Sequence, residues 1–136
     1  MASYAENRKA RFNYEFLEKY ETGIELLGTE VKSIRGGQMS LEGAFVIIRG
    51  GEAFLINANI PPYQPKNSPK DYDPLRNRKL LLTKKEIAEL SGSEKNKSLT
   101  IVPLSVYNKN RKIKIEIALV KGKKKFDKRE TIKKRD

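Results

Sequence analysis

Three residue types are missing from these 136 residues: cysteine, histidine and tryptophan. Without cysteine there is no disulfide and no thiolate nucleophile. Without histidine as well, Cys/His zinc sites and every histidine-based catalytic triad are excluded. Catalysis would have to rest on carboxylates, lysines, serines or tyrosines, so a non-enzymatic protein is expected. Long apolar runs are missing too. No stretch of ~18 apolar residues and no charged-then-apolar leader occurs, so neither a membrane span nor a secreted segment is expected, and a cytoplasmic chain is the default. Acid is in short supply, with 17 Asp and Glu against 29 Lys and Arg, a formal net charge of +12. A field of that sign attracts polyanions, which makes nucleic acid or an acidic membrane surface the leading class of partner.

What is present reads as one domain over residues 1–120 with a basic tail over 121–136, the usual size for a single domain. Residues 1–11 are polar and basic and read as a flexible lead-in. Phe12 to Tyr20 alternates large apolar and polar side chains, the period of a half-buried strand. Extended chain is expected again at 24–26, a Gly50-Gly51 hairpin joins strands at 44–48 and 53–57, and Pro61 to Pro69 is too proline-rich for helix or central strand. Asp73-Pro74 is expected to open one helical turn. Leu80, Leu81 and Leu82 are expected to be buried. Thr83-Lys84-Lys85-Glu86 is a capping box, with Gly92 stopping the helix it starts. Pro103 marks an edge or a bulge in the strand 99–107. Ile113, Ile115, Ile117 and Leu119 give the clearest alternation in the chain. The fold expected is mainly β with small helices: a closed or partly open β-barrel of oligonucleotide-binding type, with about six strands and two or three flanking helices.

The last sixteen residues hold nine Lys or Arg against three acids, half the net charge of the chain. They contain too little apolar surface to offset the entropy of ordering, so a disordered tail is expected.

The stretch 27–37 reads as one short helix, over 29–35. Thr29 is placed to cap it, Glu30 lies at the positive end of its dipole, Val31 and Ile34 share its inner face, and Gly36 or Gly37 ends it. Glu30, Ser33 and Arg35 then fall outside or on the flanks, with Lys32 within one turn of Arg35. An ordinary amphipathic turn with solvated charges has the same pattern. Basic clusters at 7–11, 32–35, 76–79 and 121–135 are separate in sequence and are the candidates for phosphate contacts. Tyr4, Tyr63, Tyr72 and Phe126 are candidates for stacking on exposed bases, against the plain alternative of loop packing. Other chemistry is poorly supported. Asp71 and Asp73 lack further oxygen ligands, so no metal is expected. Lys32 and Ser33 are helical neighbours about 100° apart and do not form a dyad. Neither Gly-Gly pair has phosphate-loop spacing, and no cofactor is called for. An RNA-binding module, a DNA binder and a carboxylate phosphoesterase remain, the last disfavoured. Physics alone does not separate RNA from DNA.

Five ordered blocks narrow this. They are Asn7-Arg8-Lys9-Ala10; Gly28-Thr29-Glu30-Val31-Lys32-Ser33-Ile34-Arg35; Asp73-Pro74-x-Arg76-x-Arg78-Lys79-Leu80-Leu81-Leu82; Thr100-Ile101-Val102-Pro103-Leu104; and Gly122-Lys123-Lys124-Lys125-Phe126-Asp127-Lys128-Arg129. Together they resemble the bacterial SsrA-binding proteins from about Asn7 onward. The resemblance implies a non-enzymatic, monomeric partner of tmRNA that clasps its tRNA-like domain. It also implies delivery to stalled ribosomes, at the small-subunit decoding region and message channel, for tagging of incomplete peptides. A generic single-stranded nucleic-acid binder of oligonucleotide-binding type is the alternative. On that resemblance Asn7, Glu30, Lys32 and Arg35 fall on the RNA-facing surface; taken with the basic clusters, the RNA-binding residues expected are Asn7, Arg8, Lys9, Arg11, Glu30, Lys32, Ser33, Arg35, Arg76, Arg78 and Lys79. Lys123, Lys124, Lys125, Phe126, Asp127, Lys128 and Arg129 form the tail that acts on the ribosome. Two departures from the family are Ser98, where glycine is common, and a chain that ends at Asp136, short of the usual tail.

Overall fold

In the computed structural model, which describes residues 3–64, 66, 69–96 and 98–122, the elements run in the following order. They are β1 (Ser3–Glu6), α1 (Arg8–Asn13), β2 (Tyr14–Gly23), α2 (Gly28–Arg35), β3 (Phe45–Arg49), β4 (Glu52–Ile56), β5 (Arg78–Leu80), α3 (Lys84–Glu94), β6 (Leu99–Lys109) and β7 (Lys112–Gly122). The strands form one antiparallel sheet in the order β2-β7-β6-β3-β4-β5, with β1 added on β6. Among the described residues seven strands are present where about six were expected. The sheet is not a closed barrel. Its two ends, β2 and β5, meet only at an isolated bridge between Ile24 and Leu80, flanked by Glu25 N–H to Lys79 O (2.9 Å) and Leu81 N–H to Gly23 O (2.9 Å). Three residues of β5 are too few to ladder along the ten of β2.

The alternation in β7 forms as read. Ile113, Ile115, Ile117 and Leu119 enter the main core with Ile34, Leu55, Leu80, Leu90 and Ile101. On the opposite face, Ala118 and Val120 form a second, smaller core with Ala10 and Val102. The lead-in is structured where it is described, Ala10 of α1 entering this second core and Ala5 of β1 the main one. Ser3–Glu6 pairs with β6, and α1 is anchored there by Asn7, whose backbone N–H donates to Leu104 O (2.8 Å) and whose side chain donates to Pro103 O (2.9 Å). Its buried residues are the small Ala5 and Ala10, with Tyr4 packed partly buried against the main core, so the segment lacks the alternation of large apolar side chains that marks a strand or helix in sequence.

Local chemistry decides several other features. Gly50 (φ 58°) and Gly51 (φ 75°) both lie in the left-handed region, as the tight β3–β4 turn requires. Pro103 sits at a bulge, where the register of β6 against β7 shifts between Pro103 and Ser105. Thr83 caps α3: its Oγ1 accepts from Glu86 N–H and Glu86 accepts from Thr83 N–H. The helix runs past Gly92 to Glu94. The turn at 73–76 is not helical; Asp73 Oδ1 accepts from Leu75 N–H (2.9 Å) and Asp73 O from Arg76 N–H (3.1 Å). Leu80 and Leu82 are buried, but Leu81 between them is 54% exposed, because the chain alternates here. Among the described residues no helix is long and apolar enough to cross a membrane.

Candidate nucleic-acid interface

Glu30 is the hub of the site, and it is inside. Together with Ser33 and Arg78 it is buried, which corrects the expectation that Glu30 and Ser33 lie on the helix exterior. The start of α2 explains how. Glu30 reaches back along its own helix, and its Oε1 accepts from Leu27 N–H (2.8 Å), satisfying a free donor at the N-terminus. Thr29, expected to cap, is exposed and the cap position is Leu27.

The remaining lone pairs of Glu30 are taken by residues more than forty positions away. Arg76 donates through Nε to Oε2 (3.0 Å) and through Nη2 to Oε1 (2.5 Å). Arg78 donates through Nε to Oε2 (2.8 Å) and lies within 2.6 Å of the same oxygen through Nη2. Tyr72 O–H donates to Oε2 (3.0 Å) and lies 2.7 Å from Ile60 O. Burial raises the Glu30 carboxyl pKa, but hydrogen bonds from Arg76, the Leu27 N–H and Arg78 outweigh it and hold the pKa at about 2. Charge-assisted bonds of this kind are about twice as strong as neutral ones. Tyr72 is displaced the other way: burial and the Glu30 charge raise its pKa, so the phenol keeps its proton. Tyr72 is thus a structural bridge and not a free stacking platform.

Arg78 also ties the long loop after β4 to itself. Its Nη1 donates to Ala58 O (2.8 Å) and its Nη2 to Pro74 O (3.0 Å). On the next turn of α2, Ser33 Oγ donates to Pro61 O (2.6 Å). The loop is therefore clamped to α2 at both ends.

The exposed cations divide into two sets. Lys32 lies over the Tyr63 ring, 5.9 Å from its centroid, and Tyr63 itself is exposed. Arg35 donates to Arg111 O (3.3 Å), joining α2 to the β6–β7 turn. Arg76, bonded to Glu30 at the start of α2, is 31% exposed, and Lys79 is held between Glu52 (3.4 Å) and Glu25 (4.0 Å). The clusters at 32–35 and 76–79 are thus brought together by Glu30. The 7–11 cluster sits elsewhere, on β6, with Lys9 paired to Glu42 (2.5 Å) and the exposed Arg8 only 4.0 Å from Glu6. It borders a cleft of about 730 Å³ walled by α1 and the segment Met39–Phe45. Arg11 falls in α1, with its side chain outside the described part; Lys123, Lys124, Lys125, Phe126, Asp127, Lys128 and Arg129 lie outside the described residues altogether. Lys121 and Gly122 belong to β7. Among the described residues no group of three or more His, Cys, Asp or Glu is placed to hold a metal ion.

Sequence reading missed Tyr72 as a bridge and Arg111 as a neighbour of Arg35. The available signal was a single acid inside a basic block, facing an Arg-x-Arg pair elsewhere in the chain.

A family model described as SmpB protein matches residues 4–136. The chain belongs to the SmpB family. The SsrA-binding protein of Mesoplasma florum is 57% identical over 130 residues, covering 96% of this chain and 87% of its own. That of Thermosynechococcus vestitus is 53% identical over 131 residues, covering 96% and 86%. A solved SmpB chain, described as "tmRNA-SmpB: a journey to the center of the bacterial ribosome", superposes with a TM-score of 0.72 at 45% identity, covering 93% of this chain and 92% of that one. The family resemblance carried by the five sequence blocks is thereby established. For an SmpB protein, the Glu30 network gives a concrete architecture to the second and third of those blocks.

Proposed function

We propose that this SmpB-family protein binds the tRNA-like domain of tmRNA and brings it to stalled ribosomes for trans-translation, acting in the cytoplasm as a monomeric RNA-binding protein without a reaction of its own. The family match over residues 4–136 is the observation that carries this reading, because charge alone favours any polyanion. Supporting it, Lys32 and Arg35 are exposed on α2, Arg76 is partly exposed and bonded to Glu30 of that helix, and Asn7, Arg8, Lys9 and Arg11 supply a second basic segment at and before α1. Lys79 belongs to the rim of the first. Glu30, Ser33 and Arg78 act from inside, holding the loop and the exposed arginine in place. The open antiparallel sheet is read as an oligonucleotide-binding-type arrangement, with residues 1–120 as the RNA-binding domain. Residues 121–136, Lys123 to Arg129 above all, are assigned to the message channel and decoding region of the ribosome.

A competition gel with tmRNA, tRNA and single-stranded DNA at ~150 mM salt tests this, since nonspecific phosphate binding weakens steeply as salt rises. The tRNA-like domain of tmRNA is expected to survive competition by both. Equal displacement by single-stranded DNA contradicts the reading and favours a generic single-strand binder.

A further inference from the structure

We infer that Arg76 is a preformed phosphate site, held in position by Glu30 and completed from outside by one RNA backbone phosphate. This rests on the RNA-binding reading above. The network contains one carboxylate and two guanidinium groups, so it carries one uncompensated positive charge. Glu30 and Arg78 are 1% and 0% exposed. Every side of both is occupied. Glu30 Oε1 accepts from Leu27 and Arg76, and Oε2 from Arg76, Arg78 and Tyr72. Arg78 spends its donors on Glu30, Ala58 O, Arg76 O, Pro74 O and the Tyr72 hydroxyl. The surplus charge therefore emerges at Arg76, whose side chain is 31% exposed.

The geometry of Arg76 fits an oxyanion. Its Nε and Nη2 edge grips Glu30 in a two-point pair. That fixes the guanidinium plane and turns the other edge, Nη1 with the second Nη2 hydrogen, away from the carboxylate. Among the described residues Nη1 has only a long bond, 3.4 Å to Asn77 O. A planar fork with free N–H groups matches two oxygens of a phosphate. Glu25 also acts on Arg76 electrostatically, but it is 59% exposed and its nearest cation is Lys79 at 4.0 Å. Water screens it far more than the buried groups are screened. Because Glu30 has already fixed the rotamer, a phosphate binding here loses little side-chain entropy, which is the usual gain of preorganisation. Glu30 is thus a positioning residue that never touches the RNA.

The test measures binding of the full chain to the tRNA-like fragment of tmRNA and to an unrelated RNA hairpin, each across a salt series. Arg76→Ala is expected to weaken binding about tenfold and to reduce the salt slope by about one counterion, a change of ~0.7–0.9. Arg76→Lys keeps the charge but not the fork, and is expected to recover less than half of the loss. Lys84→Ala, on the outer face of α3, is expected to leave both quantities unchanged. An Arg76→Ala protein with wild-type affinity and slope on both RNAs overturns the inference, as does full recovery by lysine. Glu30→Gln is expected to match Arg76→Ala and to add nothing to it in the double variant; if it does not fold, the Arg76 variants carry the test alone. A wild-type protein that prefers neither RNA, but still loses one counterion with Arg76→Ala, keeps the phosphate site and removes the tmRNA reading.

Discussion

The Glu30 carboxyl is raised by burial and lowered further by hydrogen bonds from Arg76, the Leu27 N–H and Arg78, for a net value of about 2. The unfolded value is about 4.3, so the folded pKa is depressed. Its contribution to stability is fully present above the unfolded pKa and is lost as pH falls through the folded one. Two units of difference correspond to about 3 kcal/mol, to be lost between pH ~4.5 and ~2. The groups facing it are Arg76, Arg78 and Tyr72, and the pKa values of Arg76 and Tyr72 are raised, away from that window. Urea unfolding of the wild type and of Glu30→Gln at pH 6 and near pH 2.5 reads this out. The variant is expected to start less stable and to lose less on acidification, and parallel losses would remove Glu30 as the cause. Glu21 and Glu42 also have lowered pKa values, from Tyr107 and Lys9 respectively, but both persist in the variant and cancel in the comparison. In the sequence, Glu30 stood out as the one acid in its block. Its burial was not legible, because its partner Arg78 lies 48 residues away.

At the scale of elements, the two longer helices start in different ways, and this yields a paired prediction. The α3 capping box follows the pattern Thr-x-x-Glu and forms as read. The start of α2 offers a threonine at 29, yet the cap falls two residues earlier, at Leu27, and Glu30 is used instead. Thr83→Ala should therefore cost about 1 kcal/mol, the usual worth of a cap. Thr29→Ala, at an exposed position, should stay within about 0.5 kcal/mol. Urea midpoints for the two proteins check both values, and a larger loss at Thr29 would contradict the cap assignment. The hairpin gives a third expectation. Alanine at Gly51, where φ is 75°, should cost about 1–2 kcal/mol through left-handed strain. Strong local signals of this kind were readable because they involve residues within four positions of each other. β1 and α1 were not, since alanines carry little periodicity and their stability comes from docking on β6.

Across the whole molecule, charge separates into a folded part and a basic end, with half of the net +12 in residues 121–136. Deleting 123–136 keeps all of β7 and every described contact of the Glu30 network, so binding to the tRNA-like domain is expected to survive while peptide tagging on ribosomes is lost. A filter-binding measurement beside a tagging assay separates the two, and a collapse of binding would end that division of labour. By itself, the sequence determined the β-rich class, the β7 alternation, the Gly-Gly hairpin, the polyanion-seeking charge and, through five ordered blocks, the family. Those features depend on composition, on neighbouring residues or on the order of short motifs. Tertiary structure alone decided that the sheet stays open, that the N-terminal segment becomes β1 and α1, and that Glu30 turns inward between two arginines. Each of these depends on groups far apart in the chain meeting in space, where burial and pairing outweigh the preference of a charged residue for water.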